Sequence, residues 1–525
     1  MFKLPKAEDS LQGQTVETRP KATAEWLARL PLANPADCAQ QLITTLHRLN
    51  HQPLSADDRH ALLTLYRPVV QLVASSLETL LTDAGVPPHT QQRQLGVLLR
   101  ELNTEHSIGY KQLLMTLMNR RFGRPSPKLL AETCAHLLNA LRDIQIASYL
   151  IYCSVPDGLW LEMHQVYELA QSTELADSAT DTYPAASQIY RQALLLALAD
   201  PPHMSHAEFA YTRMYLNLLS KLAELKPVPA HPVENGFIVA LDQDCGPGQQ
   251  TENSKKSLWL DTDALCRQLH ETAASLRSGS SPQHLGLPQG MDSSMGLSLG
   301  KRLVKQWRTG AQRAFKRYPA TNASMQLVAG VSAIHRLLEL VPQAPQCEPD
   351  TDVDLAVHDV GHTFAAPVAV NATHWSISND SASGLALSGA PDAPLNLRVG
   401  DALAMRPDDA AMWSLAVIRW IRMRDARQIE LGIERLSPQV KPVWVRPLRG
   451  NRKASPEPAL LVPGLPALKQ PDRLLLPRNL YQVGMDAEVW HAPRQYTLTF
   501  GQRLERTPGF DLIDFTIFAD EPIHP

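Results

Sequence analysis

The sequence predicts an α+β multidomain protein in which an N-terminal all-α helical bundle precedes antiparallel β structure. Residues from about 20 to 226 repeat apolar side chains at three- and four-residue spacing, which is typical of helices that bury one face. After Pro227 the pattern changes to short apolar runs such as "GFIVALDQD" and "SLWLDTD". Beyond Val368 the runs are short and separated by Pro, Gly and Asp, which favours a small barrel or sandwich. The length suffices for ~3 domains.

Several helices of the N-terminal half can be located by their ends. Ser55 precedes a run of apolar residues at helical spacing, with an acid at the third position, and is expected to cap that helix. Ser126 is expected to cap another helix, with Pro127 at its first helical position. "SHAE" from Ser205 is a capping box that opens a helix through Leu225. The apolar face of the first of these helices consists of Leu62, Leu63, Tyr66, Val69, Val70, Val73, Leu77 and Leu80.

These helices show no fixed repeat. "GLWLEMHQVYELAQ" resembles one tetratricopeptide helix, but a single unit does not indicate an array. The sequence therefore favours an irregular bundle.

The region after Pro227 is expected to contain two strands, then a helix from Ala264 to Leu276 capped by the residues at 261–263. Ser278 to Gly300 is rich in Gly, Ser, Pro and Met, which predicts a flexible connector.

Composition and charge exclude several classes of protein. Apolar residues are 44% and charged residues 20%, so packed cores are expected and general disorder is not. A net charge of −3 argues against a nucleic-acid or polybasic membrane binder. Six scattered cysteines without a CxxC pair favour reduced thiols. No signal peptide and no membrane-spanning apolar run is recognised, so we expect a cytoplasmic protein without membrane insertion.

A basic segment and a small-residue turn are the strongest candidates for binding chemistry. Lys301 to Tyr318, "KRLVKQWRTGAQRAFKRY", contains seven Lys or Arg residues and no acid, which attracts anions. Within it, Arg313 and Arg317 form an RxxxR pair whose guanidinium groups would point to one side in a helix or a strand. Two such forks suit phosphate oxygens or a guanine edge. "SISNDSASGLAL", from Ser376 to Leu387, places a polar turn between two strand-like ends.

"RAFKR", then the strand "SMQLVAG" and later "NDSASG", resembles the PilZ domain, a bacterial receptor domain for the second messenger cyclic di-GMP that pairs RxxxR with [D/N]xSxxG. "LNLRVGDALAM", "LAVIRWI" and "IELGIERL" are similar to the strands that follow in that family. The resemblance covers about Arg313 to Leu436. One departure is the long interval between Arg317 and Asn379, assigned to an insert at about 332–366 that includes a helix at "AIHRLLEL".

The resemblance implies a six-stranded antiparallel β-barrel that binds cyclic di-GMP and needs no further cofactor. Asn379 and Ser381 would hydrogen-bond a guanine and neighbouring groups, and the two arginines would take phosphates and guanine edges. Gly384 would provide a backbone conformation or a close approach that a side chain prevents. The candidate ligand-binding residues are Arg313, Arg317, Asn379, Asp380, Ser381 and Gly384.

Other patterns are weaker. His358 and His362, with Asp350, Asp352 and Asp354 before them, could suggest a metal, but Gly361 disfavours the helix that HxxxH requires, so no metal site is expected. "NRRFGR" at 119–124 is interpreted as an exposed basic loop. We recognise no Walker loop, GxSxG elbow, HExxH or Rossmann glycine run, so no catalytic residue is assigned.

The sequence thus predicts a cytoplasmic cyclic di-GMP receptor that couples nucleotide binding to a partner-binding helical domain. The protein partner is unidentified, and no nucleic acid is expected. One alternative is a PilZ-like adaptor that binds no nucleotide. The other is a hydrolase or transferase, which a deep pocket of perturbed acids and histidines away from Arg313 would favour.

Four regions follow from these interpretations. They are a helical domain at 1–228, a strand and helix segment with a linker at 229–300, a PilZ-like barrel at 301–445 and a β region at 446–525, which is a second small barrel or an extension of the first.

Overall fold

The computed structural model forms two compact units, Met1–Ala314 with Arg422–Asp425, and Phe315–Ile421 with Ala426–Pro525. The described residues are 16–82, 90–119, 125–178, 180–181, 183–229, 235–248, 254–287, 290–310, 318–319, 323–340, 372–381, 384–390, 397–425, 428–449, 452–453, 455–464, 469–491 and 494–522.

In the described residues of the first part of the first unit there are eight α-helices, which confirm the all-α prediction. They are α1 (Pro20–Leu27), α2 (Pro35–Asn50), α3 (Ala56–Thr82), α4 (Thr90–Met118), α5 (Pro127–Leu150), α6 (Leu159–Ser172), α7 (Ala186–Leu198) and α8 (His206–Leu219). The helix α5 is central, because buried residues occur on all its faces. Helices such as α2 and α3 bury one stripe each, as their apolar spacing requires.

The predicted helix ends are only partly observed. Ser55 accepts a hydrogen bond from the Asp58 N–H at 3.1 Å, and the capping box between Ser205 and Glu208 is complete. Pro127 is the first residue of α5, but the Ser126 side chain makes no capping hydrogen bond, so that cap was predicted wrongly. The helix α8 ends at Leu219 rather than Leu225, because the chain continues as a 3₁₀ turn and then a strand.

A small α/β portion completes the first unit. Strands β1 (Glu224–Pro227), β2 (Phe237–Ala240) and β3 (Ser257–Asp261) form an antiparallel sheet in the order β1-β3-β2. Helices α9 (Asp263–Arg277) and α10 (Ser293–Thr309) follow, and both contribute to the same apolar core as α1–α8.

The helix α10 corrects the flexible connector predicted for Ser278 to Gly300. Asp292 caps it by accepting a hydrogen bond from the Met295 N–H at 2.8 Å. Leu299, Leu303 and Trp307 are fully buried at four-residue intervals. The prediction relied on the Gly- and Ser-rich composition of this stretch and overlooked the helical spacing of apolar residues that begins inside it.

The N-terminus of α6 is capped by a residue that is distant in sequence. Gly158 at the N-cap position has no side chain and a left-handed φ of 89°. The carboxylate of Asp244 instead accepts hydrogen bonds from the N–H groups of Gly158, Trp160 and Leu161. It thereby satisfies donors that the helix leaves free and places a negative charge at the positive end of the helix dipole.

We expect Asp244→Ala to lower the free energy of unfolding by about 1–2 kcal/mol, because three backbone donors lose their acceptor. Denaturant unfolding followed by far-UV circular dichroism measures the change. Asp409→Ala, which removes an exposed carboxylate, is the control and should change stability by less than about 0.5 kcal/mol. An Asp244→Ala protein as stable as the control would contradict the capping role.

The second unit contains two closed β-barrels. The first is built from β4 (Tyr318–Pro319), β5 (Ser324–Ala329), β6 (Thr373–Asp380), β7 (Gly384–Gly389), β8 (Ala402–Pro407), β9 (Ser414–Asp425) and β10 (Gln428–Ser437). The strand order β6-β5-β8-β9-β10-β7 closes through pairing of β6 with β7, and β4 adds to β6. The predicted six-stranded antiparallel barrel is confirmed.

The C-terminal strands form a second barrel rather than an extension of the first. They are β11 (Lys441–Arg449), β12 (Arg452–Lys453), β13 (Glu457–Val462), β14 (Arg473–Pro477), β15 (Asp486–His491), β16 (Arg494–Arg506) and β17 (Phe510–Pro522). The order β11-β13-β14-β17-β16-β15 closes through pairing of β11 with β15, and β12 adds to β11.

Helix α11 (Val331–Leu340) and an apolar cluster join the two barrels. Val331 and Ile334 of α11 are buried in a cluster that takes Leu415 from the first barrel and Leu475 and Phe510 from the second. The predicted helix at "AIHRLLEL" is therefore present and packs between barrels. The rest of the predicted insert, residues 341–366, lies outside the described residues. In the described part of the chain, no helix is long and apolar enough to cross a membrane.

Candidate ligand-binding site

The polar turn of the sequence joins β6 to β7. Asn379 and Asp380 end β6, and Gly384 begins β7. Ser381 closes the turn, because both its N–H and its Oγ donate to the Gly384 carbonyl at 2.9 Å. The turn is therefore a hairpin with a locked serine, and the Asn379 side chain lies half-buried beside it.

Gly384 is required by a close approach to the neighbouring strand β10. A Cβ atom at this position would lie 2.2 Å from the carbonyl oxygen of Ile433, which is backbone and cannot move aside. Its φ is not in the left-handed region. Of the two reasons that the sequence left open for this glycine, the structure therefore supports the close approach.

Asp380 is held by Arg435 of β10. The two guanidinium nitrogens of Arg435 contact the Asp380 carboxylate at 3.1 Å and the Ser381 carbonyl at 2.8 Å. Because Asp380 already has this cation, it orders the turn and adds little charge to the site.

A concave surface of about 520 Å³ lies beside the hairpin, on the side of β7, β9 and β10. The indole of Trp420 covers Gly432, whose Cβ would lie 1.7 Å from the Trp420 Nε1. A flat aromatic ring over a glycine leaves a shallow surface on which a planar ligand can lie. The lining residues are Asn379, Ser381, Gly384, Leu385, Ala386, Arg419, Trp420, Gly432, Ile433 and Glu434.

The cation in this wall, Arg419, is already paired with two carboxylates. Its Nε donates to Glu434 at 2.5 Å, and its two terminal nitrogens donate to Glu505 on β16 of the second barrel. Burial lowers the pKa of Arg419, but hydrogen bonds and charges from Glu505 and Glu434 outweigh it and raise the pKa overall. Arg419 and these two acids together carry a charge of −1, so this wall does not by itself attract a dianion.

Arg313 and Arg317 lie outside the described residues. The next described residues, Tyr318 and Pro319, form β4 and pair with Asp380 and Asn379 of the hairpin. The two residues that follow the RxxxR motif in the sequence therefore pair with the last two residues of β6, beside the polar turn. Ala382 and Ser383 are also outside the described residues.

Sequence reasoning missed Arg419, Trp420, Glu434 and Arg435 as neighbours of the turn. "LAVIRWI" and "IELGIERL" were recognised as strands, but their side chains were not assigned to the site. Since β10 pairs with β7 in the register Glu434 to Gly384, the family strand order alone could have placed them there.

A second cavity, of about 290 Å³, lies inside the helical part of the first unit. Burial lowers the pKa of His106 to about 4 and that of His136 to about 3, and raises the pKa of Asp143 to about 6. His136 Nε2 accepts a hydrogen bond from Arg67 at 2.8 Å. The other lining residues are Val70, Gln71, Ala74, Asn103, Tyr110, Asn139 and Tyr183.

This cavity has the perturbed groups that would favour an enzyme, but it lacks a reactive constellation. Its lining includes no serine, threonine, cysteine or lysine nucleophile. Its volume is at the lower limit for a ligand pocket. We interpret it as an internal polar cluster of the helical fold.

The described residues contain no group of three or more His, Cys, Asp or Glu side chains arranged for a metal ion. His358, His362 and the preceding aspartates lie outside the described residues, as does most of the "NRRFGR" loop.

Three models of one protein family match successive parts of the chain. The model described as the N-terminal domain of the cyclic-di-GMP receptor FimW matches residues 21–230. The model of that receptor's middle PilZ domain matches residues 236–339 and 363–442, and the model of the FimW C-terminal β-barrel domain matches residues 443–518. The middle match thus also covers β2, β3, α9 and α10 of the first unit.

One relative is similar over nearly the whole length of both chains. The cyclic-di-GMP receptor FimW of Pseudomonas aeruginosa is 25% identical to the chain over 567 residues, which cover 97% of this chain and 92% of the receptor.

Proposed function

We propose that this chain, whose residues 236–339 and 363–442 match the PilZ domain model, is a receptor for cyclic di-GMP that binds the dinucleotide at its first β-barrel. The observation that carries the proposal is the Asn379–Gly384 hairpin. It forms one wall of a concave surface within the part of the chain that matches the PilZ model.

The hairpin offers hydrogen bonds and space to a guanine base. The Asn379 amide has a donor and an acceptor, which suits a base edge, and it lies half-buried beside the surface. Gly384 keeps β7 against β10, and Trp420 offers an aromatic face nearby. Ser381 acts mainly by holding the turn, since its hydroxyl donates to the Gly384 carbonyl.

The positive charge for the two phosphates is assigned to Arg313 and Arg317. Arg419 is engaged by Glu434 and Glu505, and Arg435 is engaged by Asp380. The described wall therefore leaves the phosphate charge to other residues. Arg317 directly precedes Tyr318 in the sequence, and Tyr318 pairs with Asp380 of the hairpin.

The helical domain is proposed as the part that binds a protein partner. In this scheme the nucleotide draws the basic Lys301–Arg317 segment onto the turn at Asn379. The protein then has two arrangements, with the basic segment on the turn or away from it. The free-energy effect on partner binding cannot exceed the difference in nucleotide affinity between these two arrangements. We assign no catalytic residue and no metal to the site.

Isothermal titration calorimetry with cyclic di-GMP tests the proposal. We expect micromolar or tighter binding, weakened about tenfold by Arg313→Ala or Arg317→Ala, because each substitution removes charge-assisted hydrogen bonds of roughly 1.5 kcal/mol or more. Lys305→Ala, which removes an exposed cation of α10, should leave the affinity within about twofold.

A folded wild-type protein that gives no heat with the nucleotide would overturn the receptor proposal. It would favour the alternative of a PilZ-like adaptor that acts through protein contacts alone.

A further inference from the structure

An open cleft of about 1000 Å³ lies at the C-terminal end of α2, on the helical part of the first unit. The loop after α2 forms its lip, and the first turns of α3 and the last turns of α4 form its floor. The residues that line it are Asn50, His51, Gln52, Pro53, Leu54, Arg59, Gln112, Met115, Thr116 and Asn119.

The floor of this cleft contains a buried arginine without a counter-ion. Arg59 is 5% exposed, and its one hydrogen bond to a described residue runs from Nη2 to the Gln52 carbonyl at 3.0 Å. No carboxylate of the described chain pairs with it, and its Nη1 has no partner there. Burial alone lowers the pKa of Arg59 to about 10. Buried charges in proteins are ordinarily paired, so this exception needs an explanation.

Nearby acids are already committed elsewhere. The Glu105 carboxylate accepts a hydrogen bond from the Asn50 amide at 2.9 Å and is hydrogen-bonded to the His47 ring at 2.9 Å. The Asp58 carboxylate accepts a hydrogen bond from the Ser55 hydroxyl at 2.6 Å. The Gln52 carbonyl, in the loop that follows α2, gives Arg59 one neutral acceptor. That contact uses one of the five N–H donors of the guanidinium group.

The rest of the lining matches a peptide better than a simple anion. Gln52 Nε2, Gln112 Oε1 and Asn50 Oδ1 are buried polar atoms without a hydrogen-bond partner in the same part of the molecule. Amide groups supply the donors and acceptors that a peptide backbone requires. Met115 and Leu54 add adaptable apolar contacts beside them.

We infer that this cleft binds an acidic peptide segment of a partner protein, with a carboxylate of that segment paired to Arg59. The inference rests on the proposed partner-binding role of the helical domain and gives that partner a chemical character. A buried cation kept for binding costs stability in the free protein, so Arg59 should be unfavourable for folding alone.

The test uses the full chain without nucleotide and a fluorescently labelled, end-capped tetraglutamate peptide, with tetraglutamine as its neutral match. Fluorescence anisotropy at low salt should show that tetraglutamate binds at least fivefold more tightly than tetraglutamine. Arg59→Met should remove this preference, while Arg29→Met, which deletes an exposed arginine, should retain it. The melting temperature of the Arg59→Met protein should be equal to or higher than that of the wild-type protein.

Four outcomes would overturn the inference. One is equal binding of the two peptides, and another is a preference that survives Arg59→Met. The third is Arg59→Met protein that fails to fold or melts more than about 5 °C lower, since Arg59 would then serve to hold the loop after α2 in place. The fourth is displacement of the peptide by sulfate at equal concentration, which would reassign the cleft to small anions. Cyclic di-GMP titrations of the same variants keep this result separate from the receptor proposal.

Discussion

Acidification from pH 6.5 to pH 4.5 is expected to destabilise the helical domain by about 3 kcal/mol, through the polar cluster around His106 and His136. Both side chains are almost fully buried, 6% and 4% exposed. Burial lowers their pKa values to about 4 and about 3, and the neighbouring Arg67 cation lowers them further. The folded protein therefore keeps both rings neutral well below pH 6.5.

The sign follows from proton binding in the two states. In the unfolded chain the histidines bind protons near pH 6.5, whereas in the folded chain they do so only near pH 4 and pH 3. Between these values the unfolded state binds more protons, so stability falls as the pH falls. Each histidine contributes a loss of about 1.4 kcal/mol per pH unit in that window.

Asp143 in the same cavity opposes this effect. Burial raises its pKa to about 6, so the folded protein binds a proton there before the unfolded chain does. The contribution of Asp143 to stability therefore rises as the pH falls from about 6 to about 4. Between pH 6.5 and pH 4.5 this gain is about 2 kcal/mol. The two histidines together lose about 5 kcal/mol over the same interval, so the net change is destabilising.

Thermal unfolding followed by the helical circular dichroism signal at pH 6.5 and pH 4.5 measures the effect. We expect the melting temperature to fall by roughly 6–10 °C. His136→Gln should reduce the fall, because glutamine does not titrate and its carbonyl can still accept a hydrogen bond from Arg67. His270→Gln, which replaces an exposed histidine, should leave the fall unchanged. A wild-type fall below about 2 °C would refute the role assigned to this cluster.

The first barrel could be predicted from the sequence because the patterns that indicate it each lie within a short stretch of the chain. Strand patterns, turn residues and the order of the motifs all lie within short stretches, and the first barrel closes with six strands as expected. The position of Gly384 was likewise predictable, since its neighbour on β10 is fixed by strand register.

Contacts between residues that are distant in the chain could not be predicted in this way. Asp244 caps α6 from a loop more than eighty positions away, and Glu505 reaches Arg419 from the other barrel. Neither pairing has a signature in sequence spacing. Arg59 is a different case, because it occupies the same helix face as Leu62, Leu63 and Tyr66, and that spacing could have revealed its burial.

Arg419→Ala is expected to weaken cyclic di-GMP binding by tenfold or more and to lower the free energy of unfolding by about 2 kcal/mol. The substitution leaves Glu434 and Glu505 without their cation, beside the surface where the dianionic ligand is proposed to bind. The stability loss is intermediate because the Arg419 side chain is 34% exposed, so solvent screens part of the interaction.

Glu505→Gln is expected to act in the opposite direction on binding. It removes one carboxylate and releases the terminal nitrogens of Arg419, which can then donate to a phosphate. Calorimetry should therefore show several-fold tighter binding, although the ion pair between the barrels is lost. Arg446→Ala, which breaks a comparable pair with Glu488 on the second barrel, should lower stability without changing affinity.

Opposite effects of Arg419→Ala and Glu505→Gln would mean that the ligand competes with the second barrel for one guanidinium group. Nucleotide binding would then loosen the ion pair between Arg419 and Glu505, and the second barrel would sense the occupied site through that residue. If both substitutions weaken binding equally, the pair instead holds the cavity wall in shape, and the two barrels are coupled only through their shared apolar cluster.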